Sequence, residues 1–338
     1  MLPDAELERL HFAADFSLLP RAHGLSLATG VIRHTPTDFE VVERLSFAPS
    51  GEGEHLYLRV RKTGQNTRWV AKRLADSAGV PYGAVGYAGL KDRHAVTEQW
   101  FSLHLPGQPD PELDVPEGVE ILDAIRHTAK LRTGQVEANR FRVVIRELDR
   151  DADTLATGAA LLAAHGAPNY FGAQRFGRDG RNLELLNRPG RPNREVRGFG
   201  LSALRGALFN GYLAMRIVQH SWDATVAGEV PSRDGGGTGL MWGAGENRAR
   251  DRALALERAW FELFPETTAL LEQQRVRMMR RALTLQPAQL SCEPCEGGVA
   301  LRFELPRGAF ATVLLRELGE FRDASAAPPP EDDNAGPD

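Results

Sequence analysis

Gly86-Tyr87-Ala88-Gly89-Leu90-Lys91-Asp92-Arg93-His94-Ala95-Val96-Thr97-Glu98-Gln99-Trp100 runs an apolar segment into a polar turn and out again into a second apolar segment. The pattern predicts a strand over 84–90, a turn over 91–94 and a strand over 95–104. The two glycines allow a tight turn and leave room for a ligand. They present one carboxylate, Asp92, between two cations. A carboxylate beside Lys and Arg is held ionised, as a nucleophile or base requires. An Asp that caps the turn or pairs with Arg93 is the plainer reading of a Lys-Asp-Arg triplet taken alone. A hairpin between two apolar strands could close more simply, which favours the functional reading.

Working outward, alternation predicts strands over 25–34, 38–45 and 55–62, and Asn66-Thr67 caps a helix over 68–78 that stops at Gly79-Val80-Pro81. Strand-like segments recur at 119–126 and 139–148, followed by a helix over 152–165. Antiparallel strands with a few covering helices make the first half α+β. From Gly166 the chain becomes turn-rich and Arg-rich. Helices are then expected over 201–220, 247–264 and 267–283, with a loop over 228–245 that contains Gly235-Gly236-Gly237. Strand texture returns at 289–292 and 299–305, and a last helix runs from about 310 to 321. The order strand, helix, strand predicts a mainly helical domain inserted into a sheet domain. The boundaries are 1–165 for the first sheet segment, 166–285 for the insertion, 286–322 for the return segment and 323–338 for a tail.

The chain has 338 residues, 42% hydrophobic and 25% charged, which excludes collagen-like, low-complexity and disulfide-scaffold classes. Two cysteines indicate a reducing compartment, and the acidic N-terminus lacks the form of a secretory signal. The net charge of −4 argues at face value against a nucleic-acid partner. The charge is segregated, however. The tail carries five acids, no base and Pro328-Pro329-Pro330, the composition of a disordered segment. Removing those five negative charges from −4 leaves +1 on the rest. That remainder bears basic clusters over 55–75, 126–146, 168–205 and 275–281, which suit a polyanion partner and are expected to converge on Asp92. Only four of the 41 basic residues are Lys, a bias that suits phosphate and base contacts.

Two further constellations carry chemistry. Asn139-Arg140-Phe141 opens a strand, where an amide can orient a carboxylate and a ring can stack on an unpaired base. Periodicity alone makes Phe141 a core residue in line with Val143 and Ile145. Pro168-Asn169-Tyr170-Phe171-Gly172-Ala173-Gln174-Arg175-Phe176-Gly177-Arg178 interleaves aromatics, glycines and arginines, as an RNA contact or a packed hinge would. Cys292-Glu293-Pro294-Cys295 has no second ligand pair, and Gly235-Gly236-Gly237-Thr238-Gly239 lacks the Lys of a phosphate loop. The motifs therefore point to no metal, nucleotide-cofactor or serine-hydrolase chemistry.

Together with Thr35-Pro36-Thr37-Asp38-Phe39-Glu40-Val41-Val42-Glu43, Gly53-Glu54-His55-Leu56-Tyr57, Asn66-Thr67-Arg68 and Leu305-Pro306-Arg307-Gly308-Ala309-Phe310-Ala311-Thr312, these runs follow one another over about residues 30–320. The chain resembles the tRNA pseudouridine synthase D (TruD) family. The resemblance implies an α+β pseudouridine synthase fold, a mixed or antiparallel sheet core with an inserted mainly helical domain. It implies a cytoplasmic monomer that isomerises uridine at position 13 in the D stem of transfer RNA, without cofactor, metal or membrane. It makes Asp92 the catalytic carboxylate and Phe141 the ring that stacks on the target base. Asn139 would orient Asp92, Phe39 and Phe310 would line the site, and Lys91 would sit beside the nucleophile. Arg93, His94 and Arg175 are expected to contact RNA. The carboxylate could add to uracil, add to the sugar, or take the C2′ proton; the residues leave all three routes open. A non-catalytic RNA-binding or RNA-chaperone protein on the same scaffold is the alternative from another class. Two features depart from the family: the insertion is short around 226–238, and Ala138 precedes Asn139 where Gly is usual.

Overall fold

The computed structural model describes residues 2–24, 28–187, 190 and 192–326. In chain order its elements are α1 (Asp4–Ala14), β1 (Ala28–Ile32), β2 (Phe39–Leu45), β3 (His55–Thr63), α2 (Thr67–Ser77), β4 (Val85–Tyr87), β5 (Val96–His104), β6 (Val119–His127), β7 (Val136–Arg146), α3 (Ala152–His165) and β8 (Ala167–Pro168). There follow α4 (Arg194–Val218), β9 (Thr238–Met241), α5 (Asp251–Phe261), α6 (Pro265–Gln273), β10 (Met279–Ala282), β11 (Thr284–Leu285), β12 (Ala288–Cys295), β13 (Gly298–Pro306), α7 (Ala311–Leu318) and β14 (Gly319–Asp323). The chain divides into two compact units. One comprises Ser26–Ala163, Pro287–Gly308 and Leu318–Asp338; the other comprises Met1–Leu25, Ala164–Gln286 and Ala309–Glu317.

The first unit is built on a ten-stranded sheet with the order β12-β13-β7-β2-β5-β3-β6, to which β4 adds on β5 and β1 on β7 and β14. It is mixed: β2 runs parallel to β5 and β1 parallel to β14, and the other pairs are antiparallel. Strand β3 alternates because Leu56, Leu58 and Val60 must face a core, and α2 supplies that core with Val70, Ala71, Leu74 and Ala75 against Val85, Phe101 and Leu103. Burying each of the larger aliphatic side chains contributes roughly 1.5–3 kcal/mol. The side chain of Asn66 accepts from the Trp69 N–H at 2.8 Å and starts α2 where the sequence places the cap. Gly86 is required on β4, because a Cβ there would lie 2.4 Å from the Leu131 carbonyl and 2.5 Å from Ser102 Oγ.

The second unit is organised by α4, whose buried face (Ala203, Leu204, Ala207, Leu208, Tyr212, Leu213) meets Leu10 and Ala13 of α1 in one core. Residues 2–24 therefore pack with the helices, where the sequence reading counts them with the sheet. The buried carboxylate of Glu6 on α1 accepts from the Glu266 and Thr267 N–H groups at 2.9 Å and thereby caps α6. Three other expectations change. The helix expected over 267–283 ends at Gln273, since Arg275 adopts φ 52°, and Met279–Ala282 then pairs with β9 inside the segment expected to be a loop. The last helix stops at Leu318, and β14 takes 319–323 into parallel pairing with β1. Residues 323–326 accordingly end a strand and form a short helical turn instead of opening a tail; 327–338 lie outside the described residues.

Candidate active site

In the sheet unit, β4 and β5 form the expected antiparallel pair, and residues 88–95 make the loop between them. Buried polar side chains fasten this loop. Gln99 Nε2 donates to the Gly89 carbonyl at 2.6 Å, and Thr67 Oγ1 accepts from the Lys91 N–H at 2.9 Å while donating to Gln99 Oε1 at 2.9 Å. The Lys91 ammonium turns away from Asp92 and pairs with the buried Glu43 carboxylate at 3.1 Å. The other oxygen of Glu43 accepts from the Trp100 N–H at 2.9 Å. Lys62, fully buried, donates to the Gln65 carbonyl at 2.7 Å and to the Asp92 carbonyl at 3.0 Å. Burial pushes the Lys62 ammonium down to about 8, and the Lys91 charge acts in the same direction against the opposing pull of Asp92.

The Asp92 side chain is 39% exposed. Its Oδ1 accepts from the His94 N–H at 3.0 Å, and its Oδ2 lies 2.8 Å from Nη2 of Arg33. Its cationic partner is thus Arg33 and neither of its sequence neighbours, because Lys91 serves Glu43 and Arg93 donates through Nε to the Gly64 carbonyl at 3.0 Å. Arg93 and His94 are exposed at the loop tip. Arg33 also pairs with Asp323, the last residue of β14, and its guanidinium lies 4.0 Å over the Phe39 ring. Its backbone sits at φ 54°, a left-handed conformation that costs a non-glycine residue roughly 1–2 kcal/mol.

Beyond Arg33 runs a row of rings. Phe39, buried at the start of β2, meets half-buried Phe141 edge-on at 6.2 Å, and Phe141 stacks on Phe303 of β13 at 5.2 Å. Asn139, two residues before Phe141 on the same face of β7, stands in register with Glu43 on β2, and its Oδ1 is buried and makes no hydrogen bond among the described residues. The sheet unit therefore gathers Asp92, Lys91, Asn139, Phe39 and Phe141. Phe310 and Arg175 belong to the helical unit. There Phe310 lies 6.4 Å from Phe171, and the guanidiniums of Arg175 and Arg281 lie 4.7 and 4.1 Å over the Phe171 ring. Burial foremost, then the Arg175 charge, brings Arg281 down to about 9.

The basic segments of the sheet unit are largely taken up in ion pairs with nearby carboxylates. Arg59 and Arg61 pair with Glu98, and Arg61 also with Glu120. Arg126 pairs with Asp110, Arg140 with Glu304, Arg142 with Glu40 and Arg146 with Asp38. Lys62, from the first of those segments, reaches the loop. Sequence reasoning missed Arg33, Lys62 and Glu43. The last two left a signal, a charged residue on the inward face of an otherwise apolar strand: Lys62 follows Leu56, Leu58 and Val60, and Glu43 follows Phe39 and Val41. Arg33 left none. It stands outside every basic cluster and just before the first matching run.

Among the described residues no group of three or more His, Cys, Asp or Glu could hold a metal ion, and no helix is long and apolar enough to cross a membrane. Comparison with known proteins finds that the family model of tRNA pseudouridine synthase D (TruD) matches residues 22–186. A curated relative from Methylococcus capsulatus, named tRNA pseudouridine synthase D, is 42% identical over 90% of this chain and 95% of its own. Another of that name from Xanthomonas axonopodis is 39% identical over 92% and 97%. The solved structure of a candidate protein of the same description from Methanosarcina mazei superposes with a TM-score of 0.69 at 16% identity, covering 94% of this chain and 98% of that one.

Proposed function

The chain belongs to the tRNA pseudouridine synthase D family, and on that premise we propose that it isomerises uridine 13 in the D stem of transfer RNA to pseudouridine, with Asp92 as the catalytic carboxylate. The same reading has it act as a cytoplasmic monomer, on a sheet domain interrupted by the inserted helical one. The observation that carries the reading is the Asp92 carboxylate. It is partly open to solvent, fixed from one side by the Arg33 guanidinium and from the other by a backbone N–H, and connected through Arg33 to the Phe39–Phe141–Phe303 row.

The reaction breaks the C1′–N1 bond and forms a C1′–C5 bond; C5 loses a proton and N1 gains one. Uracil must leave the helical stack before it can turn, and an aromatic face receives an unstacked base at a gain of roughly 1–3 kcal/mol. Half-buried Phe141 offers such a ring, stacked on Phe303 and met edge-on by Phe39. A carboxylate is what addition to uracil or sugar, or removal of a C2′ proton, requires, and the Arg33 guanidinium holds Oδ2 in place at 2.8 Å. The orphan Oδ1 of Asn139 is an acceptor waiting for a donor, which fits a residue that orients the substrate or the Asp92 loop. Arg93 and His94 at the loop tip, and Arg175 in the helical unit, contact the RNA.

The test is chemical mapping of pseudouridine in an unmodified tRNA transcript after incubation with the wild-type protein or with Asp92→Asn. The wild type should modify the D stem and Asp92→Asn should not. Modification by the variant refutes the role of Asp92. Binding without modification by either protein makes the chain the RNA-binding or RNA-chaperone alternative.

A further inference from the structure

Lys62 is unaccounted for in the chemistry above, and its position is expensive. It occupies an inward place on β3 in line with Leu56, Leu58 and Val60, where an apolar side chain would bury without penalty, and it is wholly removed from solvent. A buried ammonium is tolerated when it satisfies polar groups that would otherwise be stranded. The two it satisfies are backbone carbonyls of different loops: Gln65, between β3 and α2, and Asp92 itself. The other three fasteners of the loop, Thr67, Gln99 and Glu43, hold Gly89 and Lys91 upstream. Lys62 is the one that holds the peptide of Asp92.

We propose that Lys62 is a positioning residue for the pseudouridine synthase reaction: by donating to the Asp92 carbonyl it fixes the backbone from which the carboxylate reaches the uridine. The proposal rests on the reading of Asp92 as the catalytic carboxylate. A carboxylate held at its oxygens by Arg33 and the His94 N–H, and at its main chain by Lys62, is anchored at both ends of the side chain. Releasing the main-chain anchor leaves binding surfaces intact and lets the reacting oxygens move; misplacement by about 1 Å costs turnover on the order of 100-fold.

The hold also depends on pH. The charged groups facing Lys62 are Asp92 and Lys91 from the loop, themselves neutralised by Arg33 and Glu43; β5 and β6 set only Thr97 and Val119 opposite it in register. With its proton lost at about 8, Lys62 keeps weaker N–H donors and no charge. Turnover by the wild type should therefore decline along an alkaline limb centred there.

The experiment measures kcat and KM by release of tritium from C5-tritiated tRNA between about pH 6 and 9.5, for the wild type, Lys62→Met, Lys62→Arg and Asp92→Asn, each checked for folding by circular dichroism. Lys62→Met should lower kcat about 30- to 100-fold, change KM less than about 3-fold and abolish the alkaline limb. Lys62→Arg should restore part of kcat and move the limb upward, because a guanidinium keeps its proton. A wild-type profile flat from about pH 7 to 9 overturns the proposal, as does Lys62→Met with wild-type kcat. If Lys62→Met fails to fold, a limb that stays at about 8 in Lys62→Arg overturns it. Turnover surviving in Asp92→Asn overturns the underlying reading instead, and so separates the two failures.

Discussion

Replacing Arg33 by Met retains the aliphatic stem and removes the guanidinium, and three contacts go with it: the 2.8 Å ion pair to Asp92, the ion pair to Asp323, and the face of Phe39 at 4.0 Å. The carboxylates are 39% and 30% exposed, so each pair contributes at most about 1 kcal/mol after screening. The cation over Phe39 adds about 1 kcal/mol. The fold should thus lose about 2–3 kcal/mol, within the roughly 5–15 kcal/mol of an ordinary domain, and the protein stays folded at 25 °C. Turnover should fall much further. Asp92 would keep the His94 N–H but lose the group that orients Oδ2. Removing one pre-organised electrostatic partner costs about 3 kcal/mol of activation energy, on the order of 100-fold in kcat. Arg33→Lys keeps a charge without the fork, serves one carboxylate at a time, and should fall between. The assay is kcat from tritium release beside thermal unfolding of the same samples. An Arg33→Met protein with kcat within about 3-fold of wild type would refute the reasoning, whatever its melting temperature.

Asp38, buried just ahead of Phe39, illustrates acid dependence. Burial would raise its carboxyl, but two bonds from Arg146 at 2.8 and 2.7 Å and the Thr35 N–H at 3.0 Å outweigh it and hold the group below its ordinary value. Its contribution is complete above the unfolded carboxylate range and is lost as pH falls through the lowered folded value. Asp38→Asn should destabilise the sheet unit by about 3 kcal/mol near neutrality and flatten the acid limb of stability in urea titrations; an acid limb unchanged from wild type refutes this. Gly211→Ala tests packing in α4: a Cβ there would meet Trp260 Cζ2 at 2.1 Å, and that indole is pinned by its Nε1 bond to the Leu208 carbonyl at 2.8 Å. Alanine gains about 1 kcal/mol of helix propensity and loses roughly 1–3 kcal/mol to overpacking, so calorimetry should find net destabilisation; a stabilised variant refutes the packing argument.

How far the residues alone carry the reader depends on the distance over which each element is decided. Strands β3, β5 and β6 are legible because two-residue alternation is a local property. Strand β14 is not: Gly319–Asp323 continues a helical pattern, and its strand state comes from parallel pairing with Ala28–Ile32 at the far end of the chain. Strands β9 and β10 fail for the same reason, each short and defined by the other. At the site, Asp92 shows itself through glycines and neighbouring charges, yet those neighbours turn out to bind other groups. Its actual cation, Arg33, comes from a separate strand end, and only the fold brings the two within 2.8 Å.

The charge clusters make the same distinction physically. Counted along the sequence, 55–75 and 126–146 are basic; in the sheet unit most of their arginines meet carboxylates of neighbouring strands and loops, as Arg61 meets Glu98 and Arg126 meets Asp110. Such pairs sit in a high dielectric and are screened over about 8–10 Å at physiological salt. Arg33, Lys62 and Lys91 are few but largely or wholly buried, and there the same charge acts over a much lower effective dielectric. Asp92 accordingly meets one largely buried cation, Arg33, which no cluster contains, and rests its main chain on another, Lys62. What decides the chemistry is the depth at which a cation is held and the group it is held against, so removing one buried partner should cost more turnover than removing any single surface arginine of the clusters.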